Sequence, residues 1–547
     1  MNHAQFDHYN PDLDRHMARS KKFLDADKIF YKGDKNYILP PMLLQKLKSL
    51  TQYEASKSCN QKTFYIRTPN QRIMKKSIEM PKNKQTWDNS TQLVADVKWS
   101  KNNHENALLN TGVPLEENDW VRPGIPVRWM TDSSFKKKAN QTIITYSFMT
   151  TKSKLNYGDD RREIIKPYAN FSRKQRKDIG KLFKTLSSYA NITFKKVPDK
   201  KTVGTIRIGF NTITDEAGQW RPGIYATGEP PNQEPRGGDV WFNKNFVEDN
   251  FSTGLVKNFG SPTPSCVMLH EILHALGLEH PDNPERPTPE FARNREHTLM
   301  AGEFSHSAEF NQYYKDNGEI ATSLDDVQGD IDWTQYGVSS TPMPWDIASL
   351  QHLYGINKKT NKGNTIYQYS NTSPFYETIW DASGIDTIDL NNFRKDLMID
   401  LNSGQLSTLS FDVADERWSN KQHGNLGIAF EAVIENGTGG SGNDSIIGNA
   451  ANNTLKGNAG NDNLFGKGGI DVLIGGEGHD IFKLQQGNGH AIIEDFISGI
   501  DQIIIEQTAE TKMINSNIGV EIYQNNDLIA IVKNYEGSLD QSGVNII

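Results

Sequence analysis

Hydrophobic residues recur along this chain in different rhythms, and each rhythm predicts a different kind of structure. Between about residues 108 and 355, "QTIITYSFM" (141–149), "NITFKKV" (191–197), "TIRIGFN" (205–211) and the shorter "GGDVWFN" (237–243) read as strands. "FSRKQRKDIGKLFKTLSSYA" (171–190) places Ile179, Leu182, Phe183 and Leu186 three and four residues apart, which predicts an amphipathic helix. "PWDIASLQHLYG" (344–355) reads as another helix, ending at Gly355. Alternating strands and helices predict a mixed sheet. From 356 onward short strands and turn residues dominate, and between Gly439 and Lys483 an apolar residue returns every ninth position.

Residues 1–107 follow neither rhythm. They are basic, hold short apolar pieces such as "ILPPMLLQKLKSL", and lead into the polar run "KWSKNNHENALLNTG". This texture fits a leader or pro-segment with a linker behind it, or else a small accessory domain. The expected organisation is therefore 1–107 leader, 108–355 first folded domain and 356–547 second domain. The 547-residue length also calls for several domains.

Composition narrows the function classes. Hydrophobic residues make up 36% and charged residues 23%, as in an ordinary globular protein. No apolar run approaches the ~18 to 20 residues that a membrane span needs. Residues 1–100 carry 18 basic and 10 acidic side chains, while 431–547 carry 5 basic and 16 acidic. With a net charge of −7 a nucleic-acid partner is not expected, and the acidic C-terminal part points to cations. The first residues lack a basic stretch followed by an apolar one, so a cleaved N-terminal signal peptide is not expected and another export route stays open. Cys59 and Cys266 are the only cysteines, so no disulfide framework holds the fold; the two could pair or remain free. Nothing points to a stable oligomer.

The chemistry concentrates in "HEILHALGLEHP", His270 to Pro281. Residues four apart on a helix share a face, so His270 and His274 can ligate one ion. Glu271 is rotated from His270 by about 100°, so its carboxylate can reach a water in the ion's open position without becoming a ligand. Gly277 can take the positive φ that ends a helix and turns His280 back as a third ligand. Three neutral imidazoles with one open position suit a catalytic zinc site. Upstream, "SPTP" suits a helix start with Thr263 as N-cap and Pro264 at the first helical position.

A second pattern reads "GGSGNDSII", "GNAANNTLK", "GNAGNDNLF", "GKGGIDVLI" and "GGEGHDIFK". Position six holds Asp444, Asn453, Asp462, Asp471 and Asp480, and position eight holds Ile446, Leu455, Leu464, Leu473 and Phe482. Glycines permit tight turns, aspartates offer oxygen to hard cations such as Ca²⁺, and the apolar residue faces a narrow core. The second unit is degenerate, with Asn453 for aspartate and Ala451 for a glycine.

HExxHxxGxxH resembles the metzincin zinc endopeptidases, and the nonapeptides resemble RTX repeats. Both on one chain resemble the serralysin family of secreted metalloproteases from about residue 108 to the end, supported by "YANITFKKV", "DIASLQHLYG" and "TIWDASGIDTIDL" in the family's order. The resemblance implies an α+β fold: a metzincin-like catalytic domain with a mixed sheet and an active-site helix, then an all-β parallel β-roll. It implies one catalytic Zn²⁺ on His270, His274 and His280, with Glu271 as general base for hydrolysis of internal peptide bonds. Several structural Ca²⁺ ions would sit at Asp444, Asp462, Asp471 and Asp480. It further implies protein or peptide substrates laid along an edge strand, here "GGDVWFN", and export by a type I secretion apparatus to the cell exterior. Met300 in "HTLMAG" would form the methionine turn beneath the zinc, with Met343 as the lesser candidate.

The sequence departs from the family at two places. The family's zinc-ligating tyrosine two residues after the turn methionine is replaced by Gly302, and Tyr313, Tyr314 and Tyr336 lie downstream with no geometric reason to choose among them. The leader is also longer than the family's short pro-peptides, and Cys59 in it could offer a thiolate to the open zinc position or be a plain cysteine. Cys266 reads as a packed helix residue. The rival reading is a calcium-binding surface or adhesive protein whose protease domain is inactive.

Overall fold

The structure, a computed structural model, describes residues 127–130, 141–155, 169–200, 203–211, 226–231, 236–243, 262–281, 296–301, 339, 341–414, 424–506, 510–535 and 544–546, together with the backbone of short strands between 24 and 96. The chain divides into two compact units, Met1–Thr86 and Trp87–Ile547. In the first, Leu24–Asp25 pairs with Lys28–Ile29 and Lys62–Arg67 with Ile73–Ile78, both antiparallel. The second unit opens with β1 (Val94–Asp96) paired antiparallel to β2 (Val127–Trp129). A strand from before residue 107 thus belongs to the same unit as everything that follows.

The mixed sheet is built from β3 (Thr142–Phe148), β4 (Ile192–Lys196), β5 (Ile206–Asn211), β6 (Ala226–Gly228) and β7 (Asp239–Asn243), in the order β6-β7-β5-β3-β4. All neighbours are parallel except β6, which runs antiparallel to β7 at the sheet's edge. This corrects one expectation. "GGDVWFN" forms β7, whose neighbours β6 and β5 use both of its edges, so among the described residues the sheet ends on this side at the shorter β6. β6 is a three-residue strand, too short for periodicity to reveal.

Helix α1 (Arg173–Tyr189) begins with a capping box in which Ser172 and Gln175 exchange side-chain and backbone bonds at 3.2 and 2.8 Å. Its face of Ile179, Phe183 and Leu186 is buried, with Leu182 packed at the margin. Helix α2 (Pro262–Leu276) begins at Pro262, one residue before the expected cap Thr263, and its inner side, including Cys266, Leu269, Ile272 and Leu273, fills the same core. Helix α3 (Pro344–Tyr354) stops at Gly355, whose φ of +85° a side chain would strain. No described helix is long and apolar enough to cross a membrane.

Beyond α3 the chain winds into two facing parallel sheets. Successive short strands alternate between them: Asn436–Thr438, Thr454–Ala459 and Gly469–Glu477 on one side, Ser445–Ile447, Asn463–Phe465 and Ile481–Leu484 on the other. Each residue pairs with one 18 positions on, as Asn436 with Thr454 and Ser445 with Asn463, so two nine-residue units complete one coil. Ile446, Leu455, Leu464, Leu473 and Phe482 are all fully buried between the sheets. The coil extends past the repeats at both ends, from Ile366–Gln368 to Val544–Ile546. Antiparallel strands Thr511–Ser516, Gly519–Gln524 and Asp527–Lys533 finish the larger sheet.

Helix α3 links the two regions: Leu350 and Leu353 pack in the core of the mixed sheet and its helices while Ile347 packs in the core of the coil. Leu464 is fully buried between the two sheets, so truncating it leaves a cavity in that core. Leu464→Ala is expected to destabilise this region by about 2 to 5 kcal/mol in denaturant unfolding; a loss within error of zero would contradict the packing described.

Candidate metal centre

Helix α2 brings His270 and His274 onto one face, one turn apart. Beyond Leu276, Gly277 takes φ +108°, its N–H donates to His274 O at 2.9 Å, and Leu278 N–H donates to Leu273 O at 3.0 Å. This reversal returns His280 so that its Nε2 lies 3.1 Å from Nε2 of both His270 and His274. The ligand atoms of the three lie within 4.8 Å of one another.

Their outward nitrogens fix the tautomers. His270 Nδ1 is 2.7 Å from Leu299 O and His274 Nδ1 is 2.9 Å from Leu278 O. A carbonyl can only accept, so both Nδ1 atoms carry the proton and both Nε2 atoms present lone pairs. A hydrogen on His280 Nε2 can satisfy one of them at a time. A cation satisfies all three, and nitrogens each about 2.0 to 2.1 Å from a tetrahedral zinc stand about 3.3 Å apart, close to the spacing found. The residues present fit zinc.

Glu271 is 7% exposed, and burial pushes its carboxyl up to about 8, with the Gly228 N–H acting in the opposite direction. Gly228 ends the edge strand β6, and a Cβ there would overlap Glu271 O and lie 2.9 Å from His274 Cβ. The edge strand therefore approaches the histidine helix as closely as backbones allow.

Met300 is fully buried in a turn tied to α3 through Asp346. The Asp346 carboxylate accepts from Thr298 Oγ1 at 2.6 Å and from the N–H groups of Leu299 and Met343, both at 2.8 Å. Burial raises its pKa to about 6 against these bonds, which lower it. The same turn offers the Leu299 carbonyl to His270. Met343, also fully buried, sits at the start of α3. Cys266 is buried on α2. Gly302, Tyr313, Tyr314, Tyr336 and Cys59 lie outside the described residues. Asp346 did not stand out in the sequence; the available signal was the one acidic residue, in the first turn, of a largely apolar helix.

A second constellation lies in the coil. Asp462 Oδ1 accepts from Asp444 N–H at 2.7 Å and Asp480 Oδ1 from Asp462 N–H at 2.9 Å, a ladder that climbs one coil per step. Asp471 Oδ1 does the same for Asn453 on the other side. Asp462 Oδ2 and Asp480 Oδ2 are buried with no hydrogen-bond partner. A Cβ on Gly457 would overlap Asp462 Oδ2 and come 2.5 Å from Gly475 O, and one on Gly439, Gly466 or Gly475 would overlap the aspartate five residues on. Carboxylate and carbonyl oxygens thus face a space that only glycine leaves open, a donor set suited to Ca²⁺. Burial raises Asp444 and Asp471 to about 6 and Asp462 to about 7, and raises Asp480 as well.

Two further carboxylates join the array. Asp386 accepts from Thr365 N–H at 2.7 Å and keeps Oδ2 unpartnered, while Asp501 accepts from Asp480 N–H at 3.0 Å. Both lie in a Gly-x-Asp-x-Ile pattern, Gly384 to Ile388 and Gly499 to Ile503, with the isoleucine fully buried as in the repeats. That shorter pattern was the signal, and it lay outside the nine-residue register.

Residues 136–299 match the family described as Matrixin, and residues 345–542 match Peptidase M10 serralysin C terminal. Both matched segments make the chain similar to the serralysin family. It is 32% identical to Serralysin B of Dickeya chrysanthemi over 333 residues, 58% of this chain and 60% of that one. It is 31% identical over 347 residues to the Serralysin of Photorhabdus sp. (strain Az29), 58% and 60% covered, and 29% identical over 336 residues to that of Proteus mirabilis, 56% and 59% covered. The chain thus spans about 60% of the length of these serralysins. The two matched segments contain His270, Glu271 and His274 in the first and the aspartate ladder in the second, with α3 opening the latter.

Gly228→Ala should force β6 away from α2 and lower stability by about 1 to 3 kcal/mol. Thermal unfolding checks this; an unchanged midpoint would mean that the strand and helix are not in contact.

Proposed function

We propose that this chain is a calcium-dependent zinc metalloendopeptidase that hydrolyses internal peptide bonds of extracellular proteins. The observation that carries this reading is the meeting of three imidazole Nε2 atoms next to a buried glutamate, on a helix packed against the sheet's terminal described strand. His270, His274 and His280 would hold zinc, which when bound supplies Lewis acidity toward the scissile carbonyl. Glu271, adjacent to a ligand but turned off the ligand face, acts as general base: it takes a proton from the attacking water and hands it to the leaving amine. An extended substrate adds to β6 as a further strand, so main-chain bonds hold it and side chains set preference.

Asp444, Asp462, Asp471 and Asp480 would hold calcium, joined by Asp386 and Asp501. Calcium offsets the cost of several desolvated carboxylates in one narrow coil. Because Ile347 of α3 packs in the coil's core and Asp346 of the same helix ties down the turn beneath His270, order in the coil supports the metal centre. Export through a type I apparatus follows from the resemblance alone.

Glu271→Gln should retain stoichiometric zinc while casein hydrolysis falls by about a hundredfold to ten-thousandfold. Full activity in that variant would refute the assignment of the base. Zinc-loaded wild-type protein inert in every proteolytic assay would instead favour the calcium-binding surface protein.

A further inference from the structure

The three histidines are not held equally. His270 and His274 lie on the helix and each has Nδ1 on a backbone carbonyl, whereas His280 lies past the turn with a half-exposed side chain. Its Nδ1 stands 3.9 Å from Glu279 Oε1, beyond hydrogen-bond range. What sets its position is the place where α2 ends and the chain reverses. A helix leaves its last four carbonyls without helical partners. Here His274 O and Leu273 O are taken by the turn itself, and Ala275 O and Leu276 O by two side chains from elsewhere in the chain. Trp129 Nε1–H donates to Ala275 O at 2.6 Å, and Tyr354 O–H donates to Leu276 O at 2.7 Å. The Trp129 backbone N–H donates in turn to the Tyr354 hydroxyl at 3.3 Å, which joins the two. Trp129 is fully buried and Tyr354 is 4% exposed, so water cannot replace either bond.

We propose that Trp129 and Tyr354 are positioning residues for the third metal ligand: by holding the last two carbonyls of α2 they fix the start of the Gly277 turn and hence the place of His280. This inference rests on the zinc reading of the site. It also gives β1 and β2 a role, because Trp129 is the β2 residue that pairs with Val94. The end of α3 that carries Tyr354 then supports the metal site from the other side.

The test is a double-mutant cycle on the full chain, Tyr354→Phe against His280→Ala, with zinc affinity read by competition with a chromogenic chelator. Tyr354→Phe removes one hydroxyl and is expected to weaken zinc binding about 10- to 100-fold, the range for groups that orient metal ligands. In the His280→Ala background the same change should alter affinity by less than about twofold, because the ligand it acts through is gone. An equal loss in both backgrounds, or no loss in either, would overturn the proposal. Trp129→Phe, which removes the indole N–H together with part of the buried ring, runs the same cycle if Tyr354→Phe does not fold. Failure of the wild-type chain to take up any zinc would overturn the zinc reading and this inference together, whereas zinc uptake with an additive cycle would overturn this inference alone.

Discussion

The central constraint on this molecule is that three nitrogen lone pairs converge where protons can satisfy only some of them. Two of the histidines have their N–H groups on carbonyls, so their remaining nitrogens must accept, and the third can donate to only one. Such an arrangement is unfavourable without a cation and favourable with one. The surrounding structure reads as a means of holding it: Asp346 pins the turn that supplies the Leu299 carbonyl, and Gly277 permits the reversal that returns His280.

The same physics recurs in the coil with oxygen in place of nitrogen. Each aspartate of the ladder gives one oxygen to a backbone N–H one coil away and turns the other toward a glycine-lined space. The chain thus carries two arrays of like donors, one of borderline imidazole nitrogen and one of hard carboxylate oxygen. Helix α3 touches both, with Asp346 toward the histidines and Ile347 toward the coil.

Much of this was legible in the sequence because it is periodic or densely spaced. The histidine offsets predicted the convergence of His270, His274 and His280, and the nine-residue apolar period predicted the two-sheet coil with all five of its apolar positions buried. What was missed lacks a period or joins distant segments. Strand β6 is three residues long, so the sheet edge was assigned to its longer neighbour. Asp346, Trp129 and Tyr354 matter only through tertiary contacts to turns far away in sequence, and local pattern carries no trace of such partners. Asp386 and Asp501 keep the Gly-x-Asp-x-Ile core of the repeat but not its spacing, because the coil lengthens beyond the repeats: Phe482 pairs with Ile503, farther along the chain than 18 residues.

The account depends most directly on three imidazoles sharing one ion. X-ray absorption at the zinc edge of the full chain loaded with one equivalent of zinc tests this in solution. The account predicts a first shell of three imidazole nitrogens at about 2.0 to 2.1 Å with one light fourth donor. A sulfur scatterer at about 2.3 Å, or fewer than three imidazoles, would contradict it.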